Sequence, residues 1–195
     1  MPALAILLVL AAVARPVHAQ SIALADLQNA ALSTDDLPAG FSEMTEQQPN
    51  LPSFFDLGFL RSFVNSGTHE FLAVGLVVLS PNRPAGTIPA DALGAQFLQG
   101  LTNAIASSTG LAVSDLSMTG PLGIGDVDIS GQLDATNSAA GLALQFYADL
   151  SQQGQLWVVV IYGAPAGSAD MSYLYDYARQ QQQKIADANL GGGSQ

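Results

Sequence analysis

Two short apolar runs constrain this chain more than any other feature: Glu70 to Ser80 (EFLAVGLVVLS) and Leu156 to Gly163 (LWVVVIYG). Both fall well short of the roughly 20 apolar residues that a helix needs to cross a bilayer. A run of this length, rich in Val and Leu and bounded by turn residues, is the pattern of a strand covered on both faces, because a half-exposed strand alternates apolar with polar. Two such strands are expected to be neighbours in the middle of a sheet, with Trp157 in or near the core.

Around them the pattern is more mixed. Val113 to Thr119, Val127 to Ala135 and Leu142 to Leu150 are separated by turn residues, and with Leu156 to Tyr162 they read as an antiparallel meander. Four helices are expected. One covers Leu24 to Leu32, followed by a turn over Thr34 to Phe41. A second covers Pro52 to Val64, where Phe55, Phe59 and Phe63 recur at four-residue spacing behind Ser53 as N-cap. A third runs from Ile88 to Ser107, with Leu93, Phe97, Leu101 and Ile105 on one stripe behind Pro89. The last spans Ala169 to Asn189, with Ser168 as its cap and Met171, Leu174, Ala178 and Ile185 as its apolar stripe. The expectation is a single α+β domain over residues 20–190, with a central antiparallel sheet of about six strands flanked by helices (an α/β/α sandwich), and a flexible tail over 191–195.

The N-terminal stretch has an apolar core from Ala3 to Ala14, then Pro16, then Val17 and Ala19 at the −3 and −1 positions of a signal-peptidase site. It is read as a signal peptide over residues 1–19, although no Lys or Arg precedes the apolar core. Export places the mature chain in a secreted or periplasmic compartment, or in a thylakoid lumen if the source is photosynthetic. No transmembrane segment is expected in the mature chain.

Charge and composition exclude several chemistries. Sixteen acidic against five basic residues give a net charge of −11. Removal of Arg15 with the leader leaves four basic residues against the sixteen, a net −12. Such a surface lacks the cations that release counterions from a phosphate backbone, so nucleic acid is not an expected partner. The chain has no cysteine, which removes disulfides, thiolate nucleophiles and cysteine-held metal sites. Export leaves His69 as the one histidine, and no G-x-S-x-G elbow presents a serine, so a Ser-His-Asp triad is not supported. Gly120, Gly123 and Gly125 lack the spacing of a dinucleotide loop and read as a turn.

Three local strings then stand out: LPAGF at Leu37 to Phe41, LGIGD at Leu122 to Asp126 before a strand, and GQLWVVVIYG followed by the helical YLYDYARQQQQKI. With the order of elements, they resemble the exported α/β/α-sandwich domains grouped with PsbP-like and related bacterial extracytoplasmic domains, over most of residues 24–190. The resemblance implies a six- or seven-stranded antiparallel sheet between helices. It also implies an accessory, sensor or binding role without catalysis. The paucity of Lys and the single His depart from the photosynthetic PsbP proteins, and count against docking through basic residues and against histidine-held metal.

Two candidate sites follow from the residues. Asp126, Asp128, Ser130 and Asp134 stand at positions 1, 3, 5 and 9 of a D-x-D-x-S-G string, the oxygen spacing of a calcium loop. Position 12 is Asn137 instead of a bidentate Glu, and Val127 and Ile129 alternate with the polar positions as a half-buried strand requires, so a strand is the favoured reading. Tyr173 and Tyr177, four residues apart on the last helix, are a candidate aromatic binding face or, on the favoured reading, packing at the sheet. Gln180 to Gln183 read as a solvated helix face. No catalytic residue, metal or cofactor is assigned. The leading function is an exported non-catalytic binding or accessory module acting on a protein complex or cell-envelope component. The alternatives are a carrier of a small apolar ligand, held between the sheet and the helix bearing Phe55, Phe59 and Phe63, and a hydrolase working through paired carboxylates.

Overall fold

A computed structural model of the chain describes residues 22–48, 55–80, 99–100, 102–103, 106, 111–114, 117–137 and 141–190. The expected signal peptide and the 191–195 tail lie outside them. So does most of the helix expected at Ile88 to Ser107, of which Gln99, Gly100, Thr102, Asn103 and Ala106 are described and helical.

The architecture is α+β. Helix α1 (Leu24–Ala30) leads through a 3-10 turn at Thr34–Asp36 into strand β1 (Phe41–Gln47). Strands β2 (Phe55–Asn65) and β3 (Glu70–Leu79) form a hairpin. Short strands β4 (Ala112–Val113) and β5 (Ser117–Met118) precede the long β6 (Val127–Asn137), β7 (Leu142–Gln153) and β8 (Leu156–Pro165), and helix α2 (Met171–Asp187) follows. The sheet has eight strands, all pairs antiparallel, in the order β1-β2-β3-β8-β7-β6-β4, with β5 also on β6. The two apolar runs are the adjacent β3 and β8, in register from Phe71 opposite Gly163 to Val78 opposite Leu156.

The sheet buries both faces. On one, α1 and α2 cover Leu72, Val74 and Leu76 of β3 and Val158, Val160 and Tyr162 of β8. On the other, Leu133, Phe146 and Ala148 form one cluster and Leu79, Leu150 and Trp157 another. Each fully buried Val or Leu contributes roughly 1.5–3 kcal/mol, so the two central strands supply a large share of the driving force.

Three expectations need correction. Pro52 to Val64 is not a helix: residues 55–65 are β2. A spacing of four places side chains on one side of a helix, but four is also an even number and so one face of a strand. Phe59 and Phe63 accordingly share the helix-covered face, while Phe55, across a register irregularity between Phe55 and Leu57, packs with Leu79 and Trp157 on the other. The helix on which an apolar carrier site was premised is therefore absent, and Phe59 and Phe63 are spent in the packed core. Second, Asp170, not Ser168, caps α2, its carboxylate accepting from the Ser172 amide at 2.9 Å. Third, the glutamine run is not one solvated face. Gln181 is fully buried, and its side chain accepts from the Leu32 amide at 2.9 Å and donates to the Ala30 carbonyl at 2.8 Å. Gln180 donates to the Asp36 carbonyl, and Lys184 pairs with the Asp36 carboxylate, so α2 stitches the whole N-terminal segment to the sheet.

Candidate functional site

Beneath α2 the strands carry a polar cluster that alternation alone would not have placed in a core. In the β6–β7 register Ser130 lies opposite Asp149 and Asp128 opposite Ser151. Asp149, Ser130 and Ser151 are all fully buried. The Ser130 hydroxyl donates to Asp149 Oδ1 at 3.1 Å and also lies 3.3 Å from Asp128 Oδ1. Asp149 Oδ2 has no hydrogen-bond partner among the described residues. Burial first, and the neighbouring Asp128 carboxylate second, push the Asp149 carboxyl up to about 8, so it stays protonated through neutral pH.

This cluster holds two structural walls. The Ile124 amide donates to Asp128 Oδ2 at 2.8 Å, fixing the loop before β6, and Gln182 of α2 donates to the Ser151 hydroxyl at 3.0 Å. The loop is also tied to the β7–β8 turn: the Asp126 amide donates to the Gln152 carbonyl at 2.7 Å, and the Gly154 amide to Asp126 Oδ2 at 3.1 Å. Gly125 makes that approach possible, since at φ +82° a Cβ there would sit 2.6 Å from the Gln152 oxygen.

Between the two walls lies an open groove of about 310 Å³. Gly123 and Ile124 line it from the loop before β6, and Gln153 from the end of β7. Tyr175, Arg179, Gln182 and Gln183 of α2 form the other side. The Arg179 guanidinium lies over the Tyr175 ring at 5.5 Å from its centroid. Asp149 is closed off below this groove and cannot touch a bound molecule, which makes the Asp128–Asp149 pair a support for the walls.

The sequence-predicted candidates fall out as follows. Asp126 stands just before β6 and Asp128, Ser130 and Asp134 along it; Ser130 meets Asp128, but Asp126 turns to the Gly154 amide, so the four do not converge on one ion. Asp126 and Asp128 instead accept backbone amides. Among the described residues, no group of three or more His, Asp or Glu could hold a metal ion. Tyr173 and Tyr177 do meet, through Tyr162: ring centroids lie 5.5 and 6.0 Å from Tyr162 respectively. Tyr177 is buried and also meets Phe41 edge-on, whereas Tyr173 is 46% exposed. The Tyr162 hydroxyl donates to Glu70 at 2.8 Å, and burial followed by the Glu70 carboxylate pushes the Tyr177 phenol up to about 12. His69 is exposed in the β2–β3 turn at φ +58°.

Sequence reasoning missed Asp149, Gln153, Arg179 and Gln182. The available signal was an acidic residue on the strand ADLSQQ, between apolar neighbours, at a position whose parity matches the buried Tyr147.

Among the described residues, no helix is long and apolar enough to cross a membrane. No protein-family model and no curated protein matches the chain. Among solved structures it is similar to a mutant form of the protein Mog1, at 12% identity and a TM-score of 0.40, covering 79% of this chain and 84% of that one. It is also similar to the extracellular domain of PknH from Mycobacterium tuberculosis, at 10% identity and a TM-score of 0.52, covering 85% of this chain and 97% of that one. At that identity the likeness is one of fold: an antiparallel sheet flanked by helices in an α+β sandwich.

Proposed function

We propose that this chain is an exported, non-catalytic binding module that recognises a protein complex or cell-envelope component through the groove between α2 and the Gly123–Ile124 loop. The observation that carries the reading is the construction of that groove. Its two walls are fastened from beneath by separate hydrogen bonds to one buried polar cluster, so its shape is set before anything binds. The leader-like N-terminus supports an extracytoplasmic address, and so does a fold shared with an extracellular domain. The resemblance to PsbP-like exported domains supports an accessory role in place of turnover.

Two experiments test this. Affinity capture from the native envelope fraction, followed by mass spectrometry, is expected to return a partner with the wild-type chain and to lose it with Arg179→Glu. Screening against esterase, phosphatase, glycosidase and peptidase substrates is expected to show no turnover. Reproducible turnover abolished by a single Asp or Glu substitution overturns the reading, as does capture indifferent to Arg179.

A further inference from the structure

Resting on the binding-module reading above, we infer that the groove is a site for a neutral, hydroxyl-rich ligand, a saccharide segment of the envelope. Its lining has the chemistry for this. Carboxamides come from Gln153, Gln182 and Gln183, a guanidinium from Arg179 and a phenol from Tyr175. No carboxylate is among the described lining residues, although the chain carries sixteen acids.

Two groups in it lack a polar partner among the described residues. Gln153 Oε1 is buried with no hydrogen-bond partner among the described residues, while the residue itself is half-buried, so its burial is costly until the carboxamide turns toward a ligand O–H or N–H. Arg179 has no carboxylate partner among the described residues, whereas Arg61 and Lys184 are both ion-paired. Its N–H groups therefore remain for a ligand acceptor. A ligand that donates to one group and accepts from the other satisfies both, as a polyol or an acetamido sugar does. A cation finds no counter-charge here, and an anion meets a chain of net charge −11. The volume of about 310 Å³ is at the lower end of the roughly 300–1,000 Å³ of small-ligand sites, which suits one or two sugar rings lying in an open groove.

The test is a titration of the purified chain with chitotriose, maltotriose and trialanine, followed by backbone amide shifts. One of the saccharides is expected to give saturating shifts at Gly123, Ile124, Gln153 and the Tyr175 to Gln183 face of α2. Gln153→Leu and Arg179→Ala are each expected to weaken that binding by about tenfold, the effect of one lost hydrogen bond to a buried or charged group, with a melting temperature no lower than that of the wild type. Saturation by trialanine alone, or saccharide shifts elsewhere on the surface, overturns the inference. If no saccharide shifts any amide while envelope capture still depends on Arg179, the ligand class falls and the binding module stands. If capture also fails, both fall.

Discussion

Gln181 and Asp149 show how differently two buried polar side chains behave. Gln181 has its carbonyl and amide groups matched to the loose end of α1, so it acts as a two-ended clasp with no group wasted. Gln181→Leu strands the Leu32 amide and Ala30 carbonyl and is expected to destabilise by about 3 kcal/mol, while Gln183→Leu on the exposed face should stay within about 0.5 kcal/mol. Urea unfolding of the two variants measures the difference. Asp149 is the reverse case, a carboxyl whose proton is retained up to about pH 8 when folded but released near the ordinary carboxylate value of 3.8 when unfolded. In that window the folded chain binds the extra proton, so its stabilising effect is complete below pH 4 and is lost as pH rises to 8, at a slope of at most about 1.4 kcal/mol per pH unit. Asp149→Asn should remove that slope and leave the protein more stable than wild type at pH 8. Melting temperatures recorded from pH 4 to 8 decide it, and a parallel decline in both proteins would mean that Asp149 is not the group.

The loop before β6 is the element on which the groove depends. Gly120 and Gly125 both have positive φ, at +89° and +82°, but a Cβ at Gly120 meets nothing within 4 Å whereas one at Gly125 meets the Gln152 carbonyl at 2.6 Å. Gly120→Ala is expected to cost only the backbone penalty of about 1–2 kcal/mol. Gly125→Ala adds the displacement of the loop from β7, so it should cost distinctly more and disturb the Ile124 to Asp128 bond. Thermal melts of the pair, with amide shifts at Gly123 and Ile124, test both parts. Elsewhere the elements were legible to different degrees. The β3 and β8 runs, the β6–β7–β8 meander, α1 and α2 were written in periodicity. β2 was not, because Phe55, Phe59 and Phe63 at a spacing of four satisfy a helix and a strand equally, and only pairing with β1 and β3 decides between them.

At the scale of the whole molecule the governing quantity is charge. A net −11 favours a neutral or basic partner surface and repels acidic ones, and electrostatics of this kind acts on association rate more than on buried contacts. Raising salt from about 50 to 500 mM, which shrinks the screening length several-fold, is expected to slow partner association and leave dissociation nearly unchanged. Surface plasmon resonance with the captured partner measures both rates. Association that accelerates with salt would point to an apolar interface instead.

What the sequence determined by itself was local: which runs are strands covered on both faces, where turns break them, which chemistries lack their residues. These follow from periodicity and composition, which act over a few residues and survive without knowledge of the fold. The groove and its support were decided by tertiary structure. Asp128 and Asp149 are twenty-one positions apart and meet only because β6 and β7 pair in one register. Gln182 reaches Ser151 only because α2 folds back over β7, and Gln181 finds Leu32 across almost the whole chain. A polar side chain on a strand looks solvent-facing until the element that covers it is known, and that covering element is a long-range fact.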